Sequence, residues 1–147
     1  MKTKAEISTE IFSKGFNCAQ AVLLSHSEEY GLSDEMAKKI SCGFGGGMGQ
    51  NAEVCGALSG AIMLIGLKYG KYKECDKESK GKTYKLVMEF TDKFKKEFGS
   101  ILCRDLLKYD ISKEDELQKA KDSGAFKKLC PPFVKRSVEL VEEILKT

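Results

Sequence analysis

The chain has 147 residues, 41% of them apolar and 32% charged, with a formal net charge of +3, the profile of one globular domain whose core needs no disulfide or metal staple. Six cysteines are too few for a disulfide scaffold, and only Arg104 and Arg136 among 25 basic residues are arginines, which argues against nucleic acid as a partner. No apolar secretory segment marks the start, Met1-Lys-Thr-Lys-Ala-Glu-Ile7, so the expected compartment is the reducing cytosol, where cysteines more often serve metal, catalysis or redox chemistry.

Apolar residues recur mostly at spacings of three and four, which predicts an all-α bundle of about six to eight helices in a single domain, residues 1–147. A first helix is expected over about 4–14, ended by Gly15. Asn17 caps a second, about 18–30, stopped by Gly31. Ser33 caps a third, about 34–42. The run Gly43-Phe-Gly-Gly-Gly-Met-Gly49 is too rich in glycine for helix or regular strand.

A central helix follows from Ala52 to Tyr69, apolar on nearly all sides but bounded by Glu53 and Lys68 and too short for the about 20 apolar residues a membrane span needs. Gly56 and Gly60, one turn apart beside Ala57 and Ala61, let another helix come close, either within the subunit or across a homodimer. A long amphipathic helix, about 78–97, should carry Tyr84, Val87, Met88, Phe90, Thr91 and Phe94 inward and end at Gly99. Ser100 caps a short helix to about Leu107 and Ser112 another of about 113–122. Pro131-Pro132 opens the last, about 131–146, with Phe133, Val134, Val138, Val141 and Leu145 as its stripe. The lysines between Lys68 and Lys85, interrupted by Glu74, Asp76 and Glu78, read as a solvated face.

The six cysteines, Cys18, Cys42, Cys55, Cys75, Cys103 and Cys130, include no Cys-x-x-Cys pair, so any shared site is assembled by tertiary folding. Cys18 follows the Asn17 cap, Cys55 lies about one turn after Asn51, Cys103 follows Ser100 closely, and Cys130 immediately precedes Pro131. Each is therefore expected in a helix first turn, where the macrodipole and unpaired N–H groups favour thiolate. Cys42, at a helix C-terminus, and Cys75, in a charged stretch, are expected to be incidental. The glycine run before Cys55 offers the backbone N–H groups of Gly45, Gly46, Gly47, Gly49 and Gly56 as donors to a thiolate or cluster sulfur. Nucleotide binding is disfavoured, since Gly47-Met-Gly-Gln-Asn-Ala52 follows a helical pattern rather than a strand. His26, the one histidine, reads as a solvated residue of the second helix, and the absence of Cys-x-x-Cys-His excludes covalent haem.

Asn17-Cys18-Ala-Gln-Ala-Val22, the glycine run, Cys55-Gly-Ala-Leu-Ser-Gly60, Cys103 and Cys130 together resemble the redox-active family labelled C_GCAxxG_C_C, over about Ser13 to Leu145. By position, the family's four cysteines correspond to Cys18, Cys55, Cys103 and Cys130. The family is also similar to the cluster-carrying part of split-Soret cytochromes, which implies that these four are metal ligands for an iron–sulfur cluster. The residues leave three readings open. The four cysteines hold an iron–sulfur cluster and pass electrons to a partner protein; or they cycle between dithiol and disulfide, with Cys55 the attacking thiolate and Cys18 a candidate redox partner; or they hold structural zinc, or serve only as core residues of a helical interaction module, without turnover.

Overall fold

The computed structural model describes residues 1–146. Among these residues the chain forms helices α1 (Lys4–Ser13), α2 (Cys18–Leu24), α3 (Asp34–Cys42), α4 (Gly45–Met48), α5 (Gly56–Tyr69), α6 (Lys77–Phe98), α7 (Cys103–Leu107), α8 (Glu114–Ser123) and α9 (Ala125–Leu145), with a 3-10 turn at Ser27–Tyr30. The all-helical expectation holds. No helix among the described residues is long and apolar enough to cross a membrane.

Local chemistry explains most of the boundaries. Thr3 caps α1 in a reciprocal box with Glu6, Ser33 accepts from Met36 N–H at α3, and Gly31, Gly99 and Gly124 end their helices in the left-handed conformation. At α2 the Asn17 side chain accepts from Gln20 N–H at 3.0 Å while Gln20 accepts from Asn17 N–H at 2.9 Å. Both side chains also reach α3, Asn17 donating to Cys42 O at 2.8 Å and Gln20 to Lys38 O at 3.0 Å. The cap of α2 thereby holds the C-terminal end of α3.

At the centre, α5 runs against α2 with no side chain between the two backbones. A Cβ on Gly60 would lie 2.6 Å from Ala19 O, and one on Gly56 would lie 3.0 Å from Ala19 N. The small-residue face of α5 is thus used inside the chain, against α2, rather than left for a second copy. Around this pair, Leu64 and Ile65 of α5, Phe90 and Phe94 of α6, and Val134, Val138 and Val141 of α9 fill one apolar core. Phe94, Phe98 and Phe133 link α6 to α9, with ring centroids 4.9 Å apart at each step.

The structure departs from the sequence pattern in several places: the second helix stops at Leu24, short of Tyr30, and α7 and α8 start after Leu102 and Lys113, so neither Ser100 nor Ser112 is the cap. α9 begins at Ala125, not at Pro131, so both prolines and Cys130 sit inside the helix. Burial of Ala125 and Cys130 outweighs the two backbone hydrogen bonds that proline cannot donate. α5 begins at Gly56, leaving residues 53–55 outside the helix and free to pair elsewhere, after Ala52 at a positive φ of 58°. On α6 the buried line is Leu86, Phe90 and Phe94, and Tyr84 and Met88, off that line, are exposed. The glycine run turns in the opposite hand: Gly46 through Gln50 all have positive φ, between 63° and 73°, a left-handed turn that α4 names only by its hydrogen bonds.

Two alanine substitutions in α5 separate close approach from helix propensity. Gly60→Ala meets backbone and is expected to cost about 1–3 kcal/mol, whereas Gly66→Ala, with nothing within 4 Å, is expected to stabilise by up to about 1 kcal/mol; urea denaturation of both variants is the check.

Candidate functional site

A short antiparallel clip fixes two of the cysteines. Val54 bridges Leu102, Cys55 N–H donates to Ile101 O at 2.8 Å, and Cys103 N–H donates to Glu53 O at 2.6 Å. Arg104 reinforces it, its Nε donating to Ala52 O at 3.0 Å and its guanidinium pairing with Glu53 at 2.5 Å. The left-handed turn delivers residues 52–55 to this clip. Glycine is required at Gly47, where φ is +73° and a Cβ would sit 2.5 Å from Glu53 N. Cys18 joins from the first position of α2, since Gly56 lets α5 pass within 3.2 Å of the Cys18 Cβ measured from where its own Cβ would be. Cys130 comes from the second turn of α9, which packs on α2 and α5.

These four cysteines are buried and free, at 5–9% exposure, whereas Cys42 and Cys75 are exposed. The structure brings the four together: the Cys18 thiol feels charge on Cys55, Cys103 and Cys130, the Cys103 thiol feels Cys55 and Cys130, and the Cys55 thiol feels Cys130. The strongest mutual influence is between Cys18 and Cys130, which raises Cys18 and lowers Cys130. Cys55 now stands at the N-cap of α5 rather than inside it, and Cys103 is the first residue of α7. The first-turn expectation fails only for Cys130, which lies deeper in α9 because that helix starts earlier.

The electrostatics reverse the expectation that all four rest as thiolates. Burial pushes Cys55 up to about 11, against the opposing N–H bonds from Ala57 and Leu58. Burial and then the neighbouring Cys55 and Cys130 push Cys103 up to about 12, with Arg104 acting the other way. Cys18 is raised well above the usual thiol range, first by its hydrogen bond to Cys130 and then by burial. Only Cys130 is lowered, because Cys18 donates to its sulfur. Desolvation of the charged form outweighs the helix termini at the other three sites.

The glycine run contributes mainly by shape. Gly49 N–H is taken by Gly45 O at 3.0 Å, and Gly46 O and Gly47 O accept from Ala52 and Glu53. A Cβ on Gly45 would strike the Asn17 side chain at 2.5 Å, so this glycine seats the loop on the cap of α2. Sequence reasoning missed the clip, because a pairing between residues 52–55 and 101–104 carries no local signature. It also misplaced His26, which is 7% exposed between α2 and the 3-10 turn, its Nδ1 2.7 Å from Ser25 Oγ. Burial, and secondarily the Lys4 charge, lower His26 to about 4.

The donor set suits a thiolate-bound metal in kind, four soft sulfurs in one buried place. Among the described residues, however, no group of three or more His, Cys, Asp or Glu side chains is disposed to hold a metal ion.

Fold and site together define a helical protein with a buried four-thiol centre assembled from α2, α5, α7 and α9. One family model matches, described as "Putative redox-active protein (C_GCAxxG_C_C)", over residues 16–144. The chain belongs to this redox-active family. No curated protein and no solved structure matches.

Thiol titration with an aromatic disulfide reagent on the reduced native protein is expected to show two fast cysteines, Cys42 and Cys75, ahead of the four buried ones, of which Cys55 and Cys103 react only on unfolding. His26 supplies a pH test. Above pH 6.5 both folded and unfolded states hold it neutral; between pH 6.5 and about 4 the unfolded chain takes a proton that the native site refuses. Stability is expected to fall across that window, with a shallower fall in His26→Gln, read from melting temperature against pH.

Proposed function

We propose that Cys18, Cys55, Cys103 and Cys130 act as one redox site in which Cys18 and Cys130 carry reversible dithiol/disulfide chemistry. The reading is supported by the burial of these four cysteines, apart from the exposed Cys42 and Cys75, and by the mutual influence of Cys18 and Cys130, which leaves Cys130 lowered among three raised neighbours. Cys130 supplies the thiolate, the nucleophilic form, and Cys18 the proton donor beside it. Oxidation joins the two sulfurs and releases two electrons and two protons; reduction returns both thiols. Cys55 and Cys103, raised by burial, stay protonated and keep the surroundings apolar.

A second reading is favoured by a different observation, the shared burial and mutual electrostatic influence of all four thiols. In it Cys18, Cys55, Cys103 and Cys130 hold an iron–sulfur cluster, which when bound supplies electron transfer to a partner protein. The backbone around Gly45, Gly46, Gly47, Gly49 and Gly56 then shapes and shields the sulfurs. Loading would have to bring the four side chains into a ligating arrangement they do not have here. The same requirement applies to structural zinc, with its tighter four-sulfur shell.

Mild oxidation of reduced protein followed by peptide mapping is expected to give a Cys18–Cys130 link that is lost in Cys18→Ser and in Cys130→Ser. Iron and acid-labile sulfide in stoichiometric amounts after anaerobic purification, with a visible absorption band, would overturn the dithiol reading in favour of the cluster.

A further inference from the structure

Seven lysines and three acidic residues lie between Lys68 and Lys85, so this segment carries a charge of +4 while the rest of the chain sums to −1. The whole positive excess of the protein therefore sits at the end of α5, in the connection 70–76 and on the first turns of α6. Little of it is consumed within the fold. Lys68 donates to Leu145 O, and Asp76 is occupied in capping α6 through Ser79. Among the described residues Lys71, Lys73, Lys77, Lys80, Lys82 and Lys85 enter no ion pair, whereas Lys93 and Lys96, on later turns of α6, pair with Glu89, Glu143 and Asp92 at 3.0–3.8 Å.

Aromatic rings are interleaved with the unpaired lysines. Lys73, Lys80 and Lys82 stand over the rings of Tyr72, Tyr84 and Tyr69, at 5.6, 5.6 and 4.5 Å from the centroids. Tyr72 and Tyr84 are nonetheless open to solvent, 86% and 61% exposed, and Met88, one turn beyond Tyr84 on the same face of α6, is 71% exposed. A lysine run that serves only solubility needs no such apolar company.

The segment also lies away from the buried cysteines. Cys55 caps the start of α5, which runs 14 residues to Tyr69, about 20 Å along its axis. Cys130 stands in the second turn of α9, and the far end of α9 meets the same place, Ile144 O accepting from the Tyr69 hydroxyl at 3.1 Å and Leu145 O from Lys68. α5 and α9 thus run side by side from the thiols at one pole to the lysines and tyrosines at the other.

We propose that this lysine–tyrosine pole docks the protein on an anionic phospholipid surface and leaves the thiol pole facing the solution. Lysine is a point charge on a flexible stem and suits a diffuse sheet of negative charge. The segment contains no arginine, the residue that reads a defined carboxylate and that protein interfaces favour over lysine. Tyr72, Tyr84 and Met88 enter the headgroup layer, and the lysine stems lie along it with their ammonium groups on the phosphates.

The test sediments the full chain with large vesicles, one set of phosphatidylcholine alone and one of equal parts phosphatidylcholine and phosphatidylglycerol. Binding is expected only to the mixed vesicles at about 0.1 M salt, with release at about 1 M, where screening shortens to about 3 Å. Lys77→Gln with Lys80→Gln and Lys85→Gln is expected to weaken binding about a hundredfold. Lys119→Gln with Lys121→Gln and Lys127→Gln, an equal loss of charge from α8 and the start of α9, is expected to leave it unchanged. The chain has no tryptophan, so Tyr72→Trp supplies a single reporter, its emission expected to shift to the blue on mixed vesicles and not on phosphatidylcholine. Bound vesicles should also shield Cys75, inside the segment, from a thiol reagent while Cys42, at the end of α3, stays fast. Equal loss of binding in the two triple variants, an unshifted tryptophan, or shielding of Cys42 in place of Cys75 would overturn the proposal. Failure to bind the mixed vesicles overturns it too, and binding to soluble polyglutamate in that case assigns the pole to an acidic protein instead.

Discussion

The approach of α5 to α2 at Gly56 and Gly60 is the contact on which the site depends. Hydrogen atoms at these two positions let the α5 backbone lie against Ala19 and place Cys55 beside Cys18. The motif Cys55-Gly-Ala-Leu-Ser-Gly60 thus has a mechanical meaning: the cysteine caps the helix and the two glycines seat that helix on the one carrying the next thiol. Everything else is hung from this pair. The left-handed turn at Gly46–Gln50 swings residues 52–55 against 101–104, bringing Cys103, and the packing of α9 on both helices brings Cys130.

Gathering four thiols in one buried place sets their chemistry. A helix terminus offers a thiolate about 0.3–1 kcal/mol. Moving Cys55 from 9.0 to about 11 corresponds to roughly 3 kcal/mol against the charged form, so desolvation prevails. The exception is informative. Cys130 is also buried, yet a neighbouring S–H supplies directly at its sulfur the stabilisation that a distant helix end does not. Of the four, Cys130 alone is shifted toward the thiolate.

Much of this was legible in the sequence because it is local. Asn17, Ser33, Gly31 and Gly99 mark their helix ends through hydrogen bonds or backbone conformations that span a few residues. Cys18, Cys55, Cys103 and Cys130, singled out by their place at expected helix starts, are the cysteines the fold buries, and Cys42 and Cys75 are exposed. What escaped is non-local or energetic. Pro131-Pro132 signals a helix start by its own geometry, but burial of Ala125 and Cys130 carries the helix through it. The Val54–Leu102 clip joins segments far apart in the chain. His26 sits among polar neighbours in sequence and is covered only once α1 packs nearby, with Lys4 close enough to act on its charge. The thiol pKa order follows from who faces whom inside the core, which spacing alone does not encode.

The central claim is that these four sulfurs share one place, with Cys18 and Cys130 in direct contact. A crystal structure of the anaerobically reduced protein measures it most directly. The account predicts all four sulfurs in a single buried cluster, with the Cys18 and Cys130 sulfurs at hydrogen-bonding distance. A Cys130 or Cys103 sulfur turned away from the other three, toward solvent or an unrelated part of the core, would contradict it.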